Sequence, residues 1–270
     1  MRMLLLLLLT GHILGDYYFQ SERIARHKET DRKALQEHCL VYGLPFGLIG
    51  MLFGLNGWLL GIFFLAFLIH GAIDIGKAAL LKKNRKGETL ERAEGRIYLL
   101  DQFLHWLSLI LLAYFFRGRT EAFVMPGIIT GIFAELGIPR LAAFQWALAL
   151  LLIYRPSNIT FRKLFSMYKP QPEADDPELT PTINGIRQEK LRAGGIIGVL
   201  EKFIALIFLV SGEYMAIGLV LTAKSIARYD KISRSSTFAE YYLIGTLASL
   251  IMVLLIHALV FHFLAPLPGT

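Results

Sequence analysis

Three pairs of histidine and aspartate mark the first half of the sequence. The two members of each pair are four positions apart: His12 and Asp16, His70 and Asp74, and Asp101 and His105. Residues four apart in an α-helix lie on one face, so each pair presents an imidazole beside a carboxylate. All three pairs lie in apolar segments, where an ionisable side chain costs on the order of 2.5 to 3.5 kcal/mol and needs a polar partner or a bound ion.

The third pair has the reverse order, and its predicted helix runs antiparallel to the helices of the other two. Depth can be counted inward from a boundary near Gln20, Lys77 and Arg96, at a rise of about 1.5 Å per residue. The three aspartates then lie about 4 to 8 Å deep and the three histidines about 10 to 14 Å deep. The sequence therefore predicts a layer of carboxylates beside a layer of imidazoles.

This set predicts a site for a divalent metal ion, zinc or a similar one. Imidazole and carboxylate ligands suit Zn²⁺ and other first-row ions, and the number of ligands could support one or two ions. Asp16, Asp74 and Asp101 are predicted as additional ligands or the general base, and His38, at the start of the second helix, as an auxiliary ligand or acid. The first-choice ligands are His12, His70 and His105.

Five other polar side chains are predicted to bind the substrate: Gln20, Lys77, Gln102, Lys224 and Arg228. The first three lie beside the carboxylate layer. The last two are one helical turn apart and could hold a phosphate or a lipid headgroup. The simpler interpretation is that they are the basic, snorkelling end of a membrane helix.

The elements that position these residues are predicted to be membrane helices. Of 270 residues, 55% are hydrophobic and 18% are charged, and the mean hydropathy is +0.52, which is too apolar for an ordinary soluble domain. Apolar stretches of about 15 to 25 residues recur along the whole sequence, which excludes a soluble enzyme with a single anchor. The single cysteine, Cys39, excludes an intrachain disulfide. The predicted fold is an all-α polytopic transmembrane bundle of about eight helices, with a range of six to nine. The eight segments are Met3–Phe19, Cys39–Leu55, Trp58–Gly76, Ile97–Phe116, Leu141–Tyr154, Gly194–Ser211, Tyr214–Ala227 and Tyr241–Leu264.

Basic residues predict the orientation of these helices. Of the 28 Lys and Arg residues, 23 fall in four alternate connecting segments, so the positive-inside rule places those segments in the cytoplasm and the N-terminus outside. A Pro-rich and acidic stretch predicts a cytoplasmic linker at 155–193, between a five-helix domain at 1–154 and a three-helix domain at 194–270. Whether Val124–Ile138 and the turn at Gly212 cross the membrane stays open.

Two groups of residues resemble a prokaryotic membrane family known as domain-of-unknown-function family 3307. The first group is the run from Gly11 to Gln20, followed by His38, the pair at 70 and 74 and the pair at 101 and 105, and this resemblance covers roughly residues 1–115. Residues 194–249 resemble the C-terminal part of longer members. The resemblance implies a multi-pass protein of the prokaryotic cytoplasmic membrane and implies no particular activity.

The leading functional hypothesis is a metal-dependent membrane hydrolase that acts on a lipid-linked or amphiphilic substrate from the cytoplasmic side. Two other classes use the same residues differently: a proton- or cation-coupled transporter, and a nonenzymatic sensor or scaffold. Structural hydrogen-bond clamps between helices are the plainest alternative. The expected partners are membrane lipids and the substrate. No nucleic acid is expected, and a homo-oligomer is compatible with the sequence.

Overall fold

A computed structural model of the protein describes residues 1–84, 90–122, 124–165, 168 and 184–264. Over these residues the chain is helical and forms no β-strand, as predicted. The α-helices are α1 (Arg2–Ile13), α2 (Glu22–His27), α3 (Arg32–Leu52), α4 (Gly57–Asn84), α5 (Leu90–Phe115), α6 (Gly127–Glu135), α7 (Arg140–Tyr154), α8 (Pro156–Phe165), α9 (Asn184–Ser211), α10 (Tyr214–Ala227), α11 (Tyr229–Arg234) and α12 (Ser236–His257). Helices α1 and α12 each continue into a π-helical turn, Leu14–Phe19 and Ala258–Phe263.

Each of the eight segments predicted to be helical coincides with a helix, but some ends differ. Helix α3 begins seven positions before the predicted Cys39, because the Asp31 side chain accepts a hydrogen bond from the Lys33 backbone nitrogen (3.0 Å) and caps the helix there. The short helix α2 lies in a charged segment that was predicted as a connection, and Ser21 caps it by accepting from Ile24 (3.3 Å). Both differences extend the helical structure beside the candidate site beyond what the sequence predicted.

Three helical segments in the described part of the chain are long and apolar enough to cross a membrane: Gly57–Leu81, Gly95–Phe115 and Ser236–Phe263. A fourth crossing results if α6 and the helix after it count as one span, although the two are bent by 86°. The count of eight crossings and the external N-terminus stay predictions. Helix α10, for example, has only 14 residues and is short for the hydrocarbon core of a bilayer.

The helices form two compact units, Met1–Pro156 and Ser157–Phe263. In the first unit, α1 packs against α3, α5 and α7, and α4 packs between α3 and α5. Its core is apolar, with Leu6–Leu9, Phe46 and Leu148 all buried. In the second unit, α9 packs against α10 and α12. The domain boundaries predicted from the linker stay a prediction, since residues 169–183 lie outside the described part.

Two glycines allow α1 to approach α3 closely. A Cβ atom added at Gly11 would lie 2.5 Å from the Phe46 ring, and one at Gly15 would lie 2.7 Å from the Tyr42 ring and 2.9 Å from the Tyr42 backbone oxygen. A side chain at Gly11 would displace the Phe46 ring, and one at Gly15 would push against the backbone of α3. These contacts hold the end of α1 and the turn after it against the middle of α3, close to the candidate site.

Candidate metal centre

Four buried ligand atoms from three parts of the first unit converge beside α3. They belong to Asp16 in the π-helical turn, His38 in α3, and His70 and Asp74 in α4. The His38 Nε2 atom lies 3.4 Å from Asp16 Oδ1, 3.2 Å from His70 Nε2 and 3.0 Å from Asp74 Oδ2, and the last two atoms are 3.5 Å apart. We call this set the His/Asp quartet.

Four separations within the quartet suit the edges of a tetrahedron around one ion. Zn²⁺ binds histidine nitrogen and carboxylate oxygen at about 2.0 to 2.2 Å, and a tetrahedron with those bond lengths has edges of about 3.3 to 3.6 Å. These four separations of 3.0–3.5 Å lie in that range or just below it. Three of the residues, Asp16, His38 and His70, have ligand atoms that all lie within 4.8 Å of one another. The donor types, the burial and the spacing therefore agree with a divalent first-row ion.

A second group of potential ligands overlaps the quartet and consists of His70, Asp74 and His105, with ligand atoms all within 4.8 Å of one another. The His105 Nδ1 atom donates to the Asp101 backbone oxygen (2.9 Å), which leaves a lone pair on Nε2, and that buried atom has no hydrogen-bond partner. It lies 3.8 Å from Asp74 Oδ1. Two ions, one in each group, would have to share a ligand. One imidazole nitrogen binds only one ion, so the shared ligand would be the Asp74 carboxylate, which has two oxygens, rather than His70.

A lysine that was not predicted as a site residue joins the quartet. The Lys28 ammonium lies 2.9 Å from Asp16 Oδ1, 3.1 Å from His38 Nε2 and 3.9 Å from Asp74 Oδ2. Burial disfavours the charged form, but the carboxylates of Asp16 and Asp74 outweigh it and raise the pKa of Lys28 above its ordinary value. One signal for this placement is present in the sequence: Ser21 and Asp31, on either side of Lys28, are residues that cap helices.

Three predicted neighbours bind the carboxylate layer. Gln102 Nε2 donates to Asp16 Oδ2 (3.1 Å) and Asp101 Oδ2 (3.4 Å), and so connects two of the three carboxylates. The Lys77 ammonium lies 3.2 Å from Asp101 Oδ2 and 3.1 Å from the Glu29 carboxylate. The third, Gln20, donates to the backbone oxygen of Asp16.

The buried charges of this network leave an excess of negative charge. Three buried carboxylates, of Asp16, Asp74 and Asp101, face the two ammonium groups of Lys28 and Lys77. The carboxylate of Glu29, which also pairs with Lys77, is 42% exposed and stays in contact with solvent. With neutral imidazoles the buried excess is one negative charge, which a bound cation would offset.

The three predicted imidazoles meet, but His12 is placed differently from the other two. Ring centroids are 5.7 Å apart for His12 and His70, 5.2 Å for His12 and His105, and 4.4 Å for His70 and His105. His12 belongs to neither group of potential ligands, and its Nδ1 lies 3.3 Å from the Tyr42 hydroxyl. Its predicted role as a ligand stays a prediction, whereas His38 lies at the centre of the quartet.

The π-helical turn explains why His12 and Asp16 have different partners. Their spacing predicts a shared face in an α-helix, but the chain changes from α to π at Leu14, between the two residues. A π turn is wider than an α turn and rotates the residues that follow it. Asp16 contacts Lys28, His38 and Gln102. His12 lies instead against Tyr42, whose ring stacks on His70 at 3.5 Å. Sequence reasoning missed Tyr42, since an aromatic residue in an apolar helix carries no signal of this contact.

Comparison with protein families places the site in a known group. Residues 4–126 match one family profile. The profile is that of the family Protein of unknown function (DUF3307), to which this segment is similar. The resemblance predicted from the sequence is confirmed for this family, and the DUF3307 segment contains both groups of potential ligands. No curated protein and no solved structure matched the chain.

Two predicted substrate ligands, Lys224 and Arg228, lie outside the DUF3307 segment and in the second unit. Lys224 pairs with Glu201 at 2.6 Å, and Arg228 follows the last residue of α10. Beside that pair, the buried Lys202 donates to Ser157 Oγ (2.8 Å) and Asn158 Oδ1 (2.6 Å). Binding of a headgroup by Lys224 and Arg228 stays a prediction, as does the resemblance of residues 194–249.

Proposed function

We propose that this protein is a divalent-metal-dependent hydrolase of the prokaryotic cytoplasmic membrane, and that it acts on a lipid-linked or amphiphilic substrate from the cytoplasmic side. The observation that carries this proposal is the His/Asp quartet, in which His38 Nε2 lies 3.0–3.4 Å from ligand atoms of the other three residues and all four residues are buried. The membrane location is supported by the three long apolar helices and by the clustering of basic residues in alternate segments.

The residues around the quartet suit hydrolysis. A divalent ion at this position supplies Lewis acidity and a hydroxide nucleophile near neutral pH. Asp101 is the best-placed general base, because its Oδ1 atom is buried without a hydrogen-bond partner while Oδ2 is held by Lys77 and Gln102. Lys28 is placed to stabilise negative charge that develops on the substrate.

A transport function has weaker support from the same residues. A proton or cation path needs polar groups along its whole length. On the N-terminal side of His12, however, α1 contributes buried leucines at positions 4 and 6–9, and the buried Thr10 bonds to the Leu6 backbone oxygen (2.7 Å). The described polar network therefore ends inside the first unit, as expected for a site with one entrance.

Metal analysis of a double variant tests the proposal. We expect the purified protein to hold about one zinc or similar ion per chain, and His38→Ala/His70→Ala to hold almost none, because the variant loses two of four ligands. Saturation with the ion should also raise the free energy of unfolding of the wild type by about 2.7 kcal/mol at a concentration 100 times the Kd. The variant should show no such stabilisation.

The matched control removes two imidazoles far along the sequence from the quartet, in His257→Ala/His262→Ala. These two histidines contact each other, with ring centroids 5.0 Å apart, and neither belongs to the quartet. That variant should therefore retain the ion and its stabilising effect. Negligible and equal metal in all three proteins would contradict a metal centre. Normal metal content without hydrolysis of any amphiphilic ester would contradict the hydrolase and leave only metal binding.

A further inference from the structure

A groove opens between the start of α3 and the cytoplasmic end of α4, beside the quartet. It has a volume of about 1010 Å³, which is in the size range of ligand sites. Lys28 lines its polar end, and the same ammonium contacts Asp16 and His38 of the quartet. The groove and the candidate metal centre therefore share a wall.

The rest of the groove is built from apolar side chains on the two helices. Ala78 and Ala79 are small and leave space that a larger residue would fill. Ile75 and Leu40 are 58% and 70% exposed, so the open side is apolar. Helix α4 is one of the segments able to cross a membrane, and an apolar surface open on such a helix suits a hydrocarbon chain. The apolar lining comprises Leu35, Leu40, Ile75, Ala78, Ala79 and Leu81.

Arg32 supplies the exposed positive charge at the polar end. Two cations, Lys28 and Arg32, and two carboxylates, Glu29 and Asp31, line this end. Three of these four groups already have partners: Lys28 pairs with Asp16 at 2.9 Å, Glu29 pairs with Lys77 at 3.1 Å, and Asp31 caps α3. Arg32 is exposed and can bind an anionic headgroup. The N-terminus of this 21-residue helix adds positive potential at the same place.

We propose that the groove binds the hydrocarbon chain of an amphiphile with a phosphate monoester headgroup, and that Lys28 and Arg32 bind the phosphate at the entrance to the quartet. This inference rests on the proposed hydrolase and names its substrate class. A phosphate has several anionic oxygens, so it can contact an ammonium, a guanidinium and a divalent ion together.

The chain's only cysteine, Cys39, lines the groove and reports its occupancy. The experiment measures the rate at which N-ethylmaleimide labels Cys39 of the purified protein in an uncharged detergent, with and without dodecyl phosphate. Labelling should slow by about tenfold at ten times the Kd of dodecyl phosphate. Dodecanol or inorganic phosphate at the same concentration should leave the rate unchanged.

Variants locate the bound molecule. Arg32→Ala should weaken protection by dodecyl phosphate by about tenfold in Kd, and Ala79→Trp should abolish it by filling the groove. The controls are Lys33→Ala, an exposed neighbouring cation, and Leu80→Trp, whose position on α4 is 62% exposed and does not line the groove. Each rate is compared with the same variant's rate without amphiphile.

The outcomes separate this proposal from the function on which it rests. Equal protection by dodecanol, equal protection by inorganic phosphate, or full protection in both Arg32→Ala and Ala79→Trp would each overturn the proposed occupant. Labelling of Cys39 needs no catalytic turnover. If the wild type has normal metal content but dodecyl phosphate does not protect Cys39, the result contradicts the proposed occupant of the groove and not the hydrolase. Negligible metal with intact protection contradicts the hydrolase alone.

Discussion

Lys28 and a divalent ion compete for the same two atoms. The ammonium contacts Asp16 Oδ1 and His38 Nε2, and both atoms belong to the quartet. Because its pKa is raised, Lys28 stays protonated at neutral pH, and its stabilising contribution is lost only as the pH rises through that raised value. An ion can therefore bind in the quartet only if the Lys28 side chain moves away or if its ammonium group stays within a few ångströms of the bound cation.

Removal of Lys28 should have opposite effects on ion binding and on stability. We expect Lys28→Ala to bind zinc at least about tenfold more tightly, because a cation that repels the ion is gone. Without metal, the free energy of unfolding should fall by about 3 kcal/mol, because Asp16 loses its partner. Isothermal titration with zinc and thermal unfolding in a chelator measure the two effects.

The matched control for that change is Arg26→Ala in α2, the short helix that ends just before Lys28. Arg26 pairs with Glu22, but both side chains are exposed, at 74% and 88%, so its removal should change the free energy of unfolding by less than about 1 kcal/mol and leave zinc affinity unaltered. Weaker zinc binding in Lys28→Ala would show that the lysine supports the ion instead of competing with it.

The sequence predicted which residues meet, but not which of them form ligand sets. Ionisable side chains at matched positions in apolar helices need one another, and that reasoning led to the imidazole cluster and to the contacts of Gln102 and Lys77. It missed Lys28, which is one of five Lys and Arg residues in a charged segment at 20–37. Nothing in residue type distinguishes a lysine that folds back into the site from its exposed neighbours.

At the scale of elements, the contact between α1 and α3 sets the geometry of the centre. Gly11 and Gly15 bring the two helices together, and the π-helical turn then directs Asp16 toward His38. Helix positions follow from apolar patterning, so the sequence predicted them well. A π turn depends on a local mismatch between packing and helix register, which apolar patterning does not encode.

A single added methyl group should separate these helices. In Gly15→Ala, the Cβ atom meets the backbone oxygen of Tyr42, which cannot rotate away, so we expect a loss of about 2 kcal/mol or more in the free energy of unfolding. Zinc affinity should fall as well, because Asp16 is the next residue. Thermal unfolding and metal titration check both changes.

Gly76→Ala is the control for this prediction, since it adds the same methyl group to α4 two residues after Asp74. The structure shows nothing within 4 Å of a Cβ atom there, and alanine is favoured over glycine in a helix by about 0.5 to 1 kcal/mol. Unchanged or slightly raised stability is therefore expected. If the free energy of unfolding fell equally in the two variants, the close contact between α1 and α3 would not be the reason why position 15 requires glycine.

At the scale of the whole molecule, the placement of charge predicts that the centre opens toward the cytoplasm. Single cysteines introduced in a Cys39→Ser background test the topology. Cysteine at Arg117→Cys should react with a membrane-impermeant maleimide in intact cells, because this position lies in a predicted external connection. Cysteine at Arg162→Cys should react only after permeabilisation. The opposite labelling pattern would mean that the orientation of the protein in the membrane is the reverse of the predicted one, with the candidate centre on the outer side.

The chemistry of the chain is concentrated near one end. All members of both ligand groups precede residue 106, and the DUF3307 match ends at residue 126. Helix α7 lies beyond that limit, yet it packs on α1 and its Leu151 backbone oxygen accepts a hydrogen bond from Tyr18 (2.6 Å). A shorter relative that kept only the matched segment would inherit every ligand and lose this covering. Length variation among relatives should therefore replace the shell around α1 and leave the candidate ligands in place.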